Sequence, residues 1–202
     1  MKRGAIYIMM ACLMTFFACQ QKDKYGKESA NDDSKEVAED QNDDKFDNKL
    51  EKDADFAVKA AEDNMLEIRL AQLAETNASS GEVKSFAKGI IADHNKTNEE
   101  LQKLAMEKNI TLPASLSDKS QKRYDEIAGK TGHEFDETFS DYMVKDHKEC
   151  VKNFKEEAED GNDPDIKAFA ARNVATLEHH QAMAEDLEKM VDKANRASND
   201  PK

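Results

Sequence analysis

The chain has 202 residues, a formal net charge of −13 and a pI near 4.9. That acidic balance leaves no basic footprint for phosphate recognition, so nucleic acid is not an expected partner. Three cysteines, seven glycines, three prolines and no tryptophan exclude a disulfide-dense scaffold and argue against a turn-rich all-β fold. The averages of 38% apolar and 36% charged residues hide three zones of different character.

Residues 1–18 have the form of a secretory signal. Lys2 and Arg3 precede a stretch from Gly4 to Ala18 that has no charge and in which 13 of 15 residues are apolar. A comfortable bilayer span needs about 20 such residues, so this stretch is too short for one. It ends in Phe16-Phe17-Ala18-Cys19, followed by Gln20-Gln21-Lys22-Asp23. This junction resembles a bacterial lipoprotein signal, although Phe16 and Phe17 depart from its usual leucine and small residue. The resemblance implies that Cys19 becomes the first mature residue and carries a lipid on its thiol. The membrane is then a partner through that lipid. An ordinary cleaved signal or an uncleaved anchor is the alternative. Gln20 in place of Asp implies the outer membrane. Gln21-Lys22-Asp23 resembles the charged surface-export tag of Bacteroidota lipoproteins, so periplasmic and surface-exposed placements both stay open.

Residues 19–52 are expected to form a lipidated, disordered acidic tether. From 20 to 52 there are 7 lysines, 11 acidic residues and only six apolar ones, Tyr25, Ala30, Val37, Ala38, Phe46 and Leu50. So little apolar surface does not offset the entropy of ordering the chain.

The folded domain is expected over 53–197, with a tail at 198–202. Four long segments carry helical apolar spacing. The first runs over 53–77 with Asp53 as N-cap. The second runs over 80–108, opened by the capping box Ser79-x-x-Glu82, with the stripe Val83, Ala87, Ile90, His94, Thr97, Leu101 and Leu104. After Leu112-Pro113 a short helix is expected over 117–128, between Ser117 as cap and Gly129 as stop. The third long helix runs over 133–160, opened by Thr131-x-x-Glu134, with Phe135, Phe139, Met143, His147, Cys150 and Phe154 on its stripe. The fourth runs over 164–193, with Asp163 as N-cap and Pro164 in the first turn, where a missing N–H is harmless. Its stripe is Ile166, Ala170, Asn173, Leu177, His180, Ala184, Leu187 and Val191.

Four such helices bury their apolar faces best against one another. The segment Glu82 to Ala87 is similar to Asp165 to Ala170, so two alike hairpins flank a longer connection. The expected fold is therefore all-α: a ferritin-like up-down four-helix bundle with an extra short helix in the middle connection.

His94, His147 and His180 lie on the core stripes of three different helices. His94 and His147 fall at the midpoints of their helices. His180 and Glu67 fall about two residues past theirs, an offset of about 3 Å at ~1.5 Å per residue. Three imidazoles and one carboxylate can thus meet in one layer, with Asp93 and Asp146 flanking two of the histidines as second-layer groups. The set suits zinc, iron or copper. It equally suits a buried polar layer that fixes helix register without metal. A ferroxidase pair of Glu-x-x-His motifs is absent, since Ile91, Thr176 and Leu177 stand three residues before His94, His179 and His180. His133 and His179 read as surface residues, and Cys150 as a small buried hydrophobe, a ligand or a nucleophile. No Gly-x-Ser-x-Gly elbow, P-loop or dinucleotide fingerprint is present.

The string from Phe56 to Leu73 resembles the opening of bacterial envelope proteins of domain-of-unknown-function family 4142. Later blocks agree: Val83-Lys84-Ser85-Phe86-Ala87, Asp93 to Leu101, Thr111-Leu112-Pro113, Met143-Val144-Lys145-Asp146-His147 and Leu177-Glu178-His179-His180. The resemblance spans about 55–190 and implies a ferritin-like bundle and an envelope address. It carries no established reaction, and the protein partner stays unknown. The leading expectation is a non-enzymatic envelope binding or stress-associated module, with metal binding through the His/Glu layer as an open option. A metal-dependent redox enzyme is the alternative from another class.

Overall fold

The computed structural model describes residues 33–199. The expected signal segment, Cys19 as the expected lipidation residue, the first part of the expected tether and the residues beyond 199 lie outside the described residues. Among the described residues there are six helices and no strand. They are α1 (Ser34–Asp43), α2 (Asn48–Asn77), α3 (Gly81–Lys108), α4 (Asp118–Ala128), α5 (Gly132–Asp160) and α6 (Pro164–Asn199). None of these helices is long and apolar enough to cross a membrane.

The expected stripes are the buried faces. Val83, Ala87, Ile90, His94 and Leu101 of α3, all six expected positions of α5, and Ile166 to Val191 of α6 are buried. α2 packs on α3 and α5, and α6 packs on α5 and α3, so the four long helices close a ring. The apolar core inside is split in two. One half holds Leu70, Phe86, Ile90, Phe135, Phe139 and Leu187. The other holds Ala57, Leu101, Phe154, Phe169 and Leu177. Glu67, His94, His147 and His180 occupy the level between them and are all buried.

The tether ends earlier than expected. Residues 34–43 and 48–52 are helical, and the folded part begins at α1, before 53. α1 is held by polar contacts more than by apolar ones, which is why its composition reads as disordered. Asn42 is fully buried; its Nδ2 donates to the Thr111 carbonyl and its Oδ1 accepts from Thr111 N–H. Ser34 Oγ accepts from the N–H groups of Ala114 and Ser115, and Asp33 accepts from that of Asp118. The irregular connection from α3 to α4 thus finds partners for its backbone in α1. Each bond spares a backbone N–H or carbonyl from being left unpaired.

Two capping assignments also shift. The first long helix starts five residues earlier, with Asp47 as N-cap. Asp53 lies inside it, 1% exposed, and accepts from the N–H groups of Asn162 and Asp163 in the turn between α5 and α6. On α3 the cap is Ser80, whose Oγ accepts from Glu82 and Val83. Ser79 instead donates to Asp136, which is 1% exposed and also accepts from Ser80 N–H. One buried carboxylate on each hairpin therefore ties down the turn of the hairpin beside it. Ser117 and Asp163 cap α4 and α6 as expected.

Gly161 is the C-cap of α5, and the position suits glycine for a steric reason: a Cβ there would sit 2.7 Å from the Glu157 carbonyl oxygen. The Glu157 carboxyl is buried beside this turn, and its Oε1 has no hydrogen-bond partner. Desolvation, followed by the nearby Asp53 charge, pushes it up to about 7. A carboxyl raised above its unfolded value holds its proton longer in the folded state. Folding is therefore favoured at low pH, and that contribution is lost as pH rises towards 7. Glu157→Gln is expected to be nearly neutral at pH 4.5 and stabilising at pH 8. Urea unfolding at the two values checks this; an equal effect at both counts against it.

Candidate metal centre

Four helices deliver one group each to the central layer. Glu67 comes from α2, His94 from α3, His147 from α5 and His180 from α6, and their exposures are 0%, 4%, 0% and 3%. The regular rise of each helix sets the height of its residue, and the buried stripe sets its direction. His94 and His180 stack, with ring centroids 5.3 Å apart and planes 20° from parallel. His147 meets both edge-on, at 5.7 Å and 5.4 Å. One ligand atom from each of the three rings lies within 4.8 Å of the other two.

The tautomers follow from the partners. His94 Nδ1 faces Asn64 Oδ1 at 2.7 Å, His147 Nδ1 faces the Met143 carbonyl at 3.0 Å, and His180 Nε2 faces Asp93 Oδ2 at 2.9 Å. All three partners are oxygens that can only accept, so each of these nitrogens carries the hydrogen. The remaining nitrogens, His94 Nε2, His147 Nε2 and His180 Nδ1, are bare lone pairs. They are buried and have no hydrogen-bond partner.

The rings are also neutral. Burial pushes His94 well below the usual histidine range, with the neighbouring His147 and His180 adding to the effect. Burial lowers His147 to about 4. It lowers His180 too, against the opposing pull of Asp93. A neutral ring with one nitrogen tied to an oxygen and the other free is the form in which histidine binds a metal.

Glu67 closes the layer from the fourth side. Its Oε2 lies 3.1 Å from His94 Nε2, and its Oε1 lies 3.3 Å from His147 Nδ1. Neither oxygen receives an aligned hydrogen bond. Desolvation holds this carboxyl well above its ordinary value, with the Asp146 charge acting in the same direction. An ionised Glu67 facing the bare His94 Nε2 would set lone pair against lone pair. A proton on Glu67 removes that conflict, and so does a cation bound by both atoms.

The residues expected to meet do meet, and the flanking pair divides. Asp93, expected to flank its neighbour His94, instead meets His180 on the facing helix. Asp146 accepts from Tyr142 O–H and lies within reach of Cys150 and Glu67, so it serves the carboxylate side of the layer instead of orienting His147. Successive helical residues point about 100° apart, and on α5 that rotation carries Asp146 away from the ring. His133 and His179 are exposed. Asn64 and the Met143 carbonyl, which set two of the tautomers, were not anticipated. Asn64 could have been found as the residue one turn before Glu67 on the same face of α2.

Residues 34–187 match the family described as Domain of unknown function (DUF4142). The chain belongs to DUF4142. The match begins at α1, in agreement with the folded boundary seen in the structure. No curated protein and no solved structure matches the chain. DUF4142 membership thus gives a family without a reaction, and the chemistry of this DUF4142 chain is argued from its own central layer.

Proposed function

We propose that the protein is an outer-membrane lipoprotein, anchored through Cys19, whose ferritin-like four-helix domain binds a transition metal as a non-enzymatic envelope module. The observation that carries the metal reading is the set of three neutral, tautomer-fixed imidazoles, each with a buried unpartnered nitrogen, that bring one ligand atom apiece within 4.8 Å of one another beside Glu67. Imidazole and carboxylate donors suit zinc, iron or copper. The ring of four long helices, with α4 in the longer connection between α3 and α5, supports the ferritin-like reading. The signal segment and the Cys19 junction support the anchor.

Metal analysis of the purified protein against His94→Ala and His147→Ala tests the centre. Stoichiometric metal in the wild type, lost in both variants, is expected. A metal-free wild type whose stability the substitutions leave unchanged sinks it. Retention of Cys19→Ser in the membrane fraction of cells would count against the anchor.

A further inference from the structure

Glu67, which stands against His94 and His147, also belongs to a second set of ligand atoms. One carboxylate oxygen from Glu67, one from Asp146 and Cys150 Sγ all lie within 4.8 Å of one another. Cys150 Sγ is 3.8 Å from Asp146 Oδ2 and 3.8 Å from Asp63 Oδ2. Asp63 is braced by Lys59 Nζ at 3.0 Å, and that lysine also reaches out to Glu149 at the surface. Three carboxyls and a thiol are gathered where water is scarce. Such a group stands only with protons or a cation among its members.

Two independent features point to a cation. The Glu67 carboxyl is fully buried and neither of its oxygens receives an aligned hydrogen bond, so both have lone pairs to offer a cation. A cavity of about 320 Å³ is lined by Asp63 and Cys150 together with Phe56, Asn153, Phe154 and Glu157. It gives the second set a way in from the surface that does not pass through the histidines.

We propose that Glu67 bridges two metal positions, and that Asp146, Cys150 and Asp63 hold a second ion beside the one in the histidine layer. This rests on the metal reading of that layer. A thiolate among carboxylates selects a borderline-soft divalent ion such as zinc or cobalt over magnesium or calcium. On binding, the Cys150 S–H bond breaks, the sulfur keeps the electron pair for the metal, and the proton leaves to solvent through the cavity. The histidine position is sealed in the core, whereas this one adjoins open space.

Cobalt(II) titration of the purified full chain, followed by visible and near-ultraviolet absorption and by bound metal per chain, tests the proposal. Two ions per wild-type chain are expected, with a thiolate-to-cobalt charge-transfer band. Cys12 and Cys19 are the other thiols in the chain, so the band must disappear in Cys150→Ser. That variant is expected to keep one ion and the visible bands of the histidine position, and Asp146→Asn to weaken the second step at least tenfold. Cys150→Ser changes one atom, and an unchanged thermal melt shows that it folds. A wild type that binds one ion, removed by His94→Ala, overturns the second position and leaves the histidine reading standing. A charge-transfer band that persists in Cys150→Ser also overturns it. A wild type that binds no ion overturns both readings.

Discussion

Zinc added to the metal-free protein, at about a thousand times its dissociation constant, is expected to stabilise the fold by about 4 kcal/mol. For a chain of this size that raises the melting temperature by about 8–16 °C. The reasoning starts from protonation. His147, held at about 4, and the lowered His94 and His180 are neutral at pH 7, so no ring must lose a proton to bind. Their N–H groups are already committed to Met143, Asn64 and Asp93, so little ring freedom is lost either. The proton to be displaced from the layer is the one on Glu67, whose carboxyl is held well above its ordinary value.

Affinity should therefore rise with pH and the thermal gain be smaller at pH 5 than at pH 7. In the metal-free protein the same lowered rings act on stability with a definite sign. The unfolded chain takes up their protons first, so stability falls as pH drops from the ordinary histidine value of 6.5 towards 4. Differential scanning calorimetry with and without zinc, on the wild type and on His94→Ala and His147→Ala, measures both effects. An equal shift in the variants would place the zinc elsewhere and defeat the assignment.

The second large effect is expected from Phe139→Ala, a loss of about 4 kcal/mol. Phe139 is fully buried, stacks on Phe135 with centroids 5.5 Å apart and meets Phe86 edge-on at 6.2 Å. Phe135 is held on α5 itself and Phe86 on α3, both buried, so the space left by the benzyl group cannot readily close. The variant should still bind metal below its melting temperature, because Phe139 lies in the apolar half of the core and not in the layer. Glu67→Leu is expected to show the converse: far less loss in the metal-free protein, since it removes a buried carboxyl without an aligned partner, and no stabilisation by zinc. Urea unfolding of the metal-free forms separates the two. A Glu67→Leu loss as large as that of Phe139→Ala would make the layer a structural device instead of a binding one.

The layer was legible in the sequence because its two coordinates are local. Height follows from position within a helix, and direction follows from membership of a stripe. Glu67, His94, His147 and His180 needed nothing more to be placed together. α1 was not legible, because what holds it is a set of side-chain bonds to a connection that follows 69 residues or more later, as in Asn42 with Thr111. Such bonds leave no periodic trace. The group around Cys150 was half visible. Asp63 and Glu67 on α2, and Asp146 and Cys150 on α5, each stand one turn apart, but nothing in either helix says that the other faces it.

The sequence by itself determined the four long helices and α4, their buried faces and the level at which the polar residues interrupt the apolar core, because these depend on spacing along one chain segment. The tertiary structure alone decided which nitrogen of each histidine is bare, that Asp93 orients a ring while Asp146 turns to the carboxylate side, and that Glu67 adjoins both sets of ligand atoms. Those outcomes depend on the rotation of one helix against its neighbour, and they are fixed only when the side chains of α2, α3, α5 and α6 pack around a shared interior.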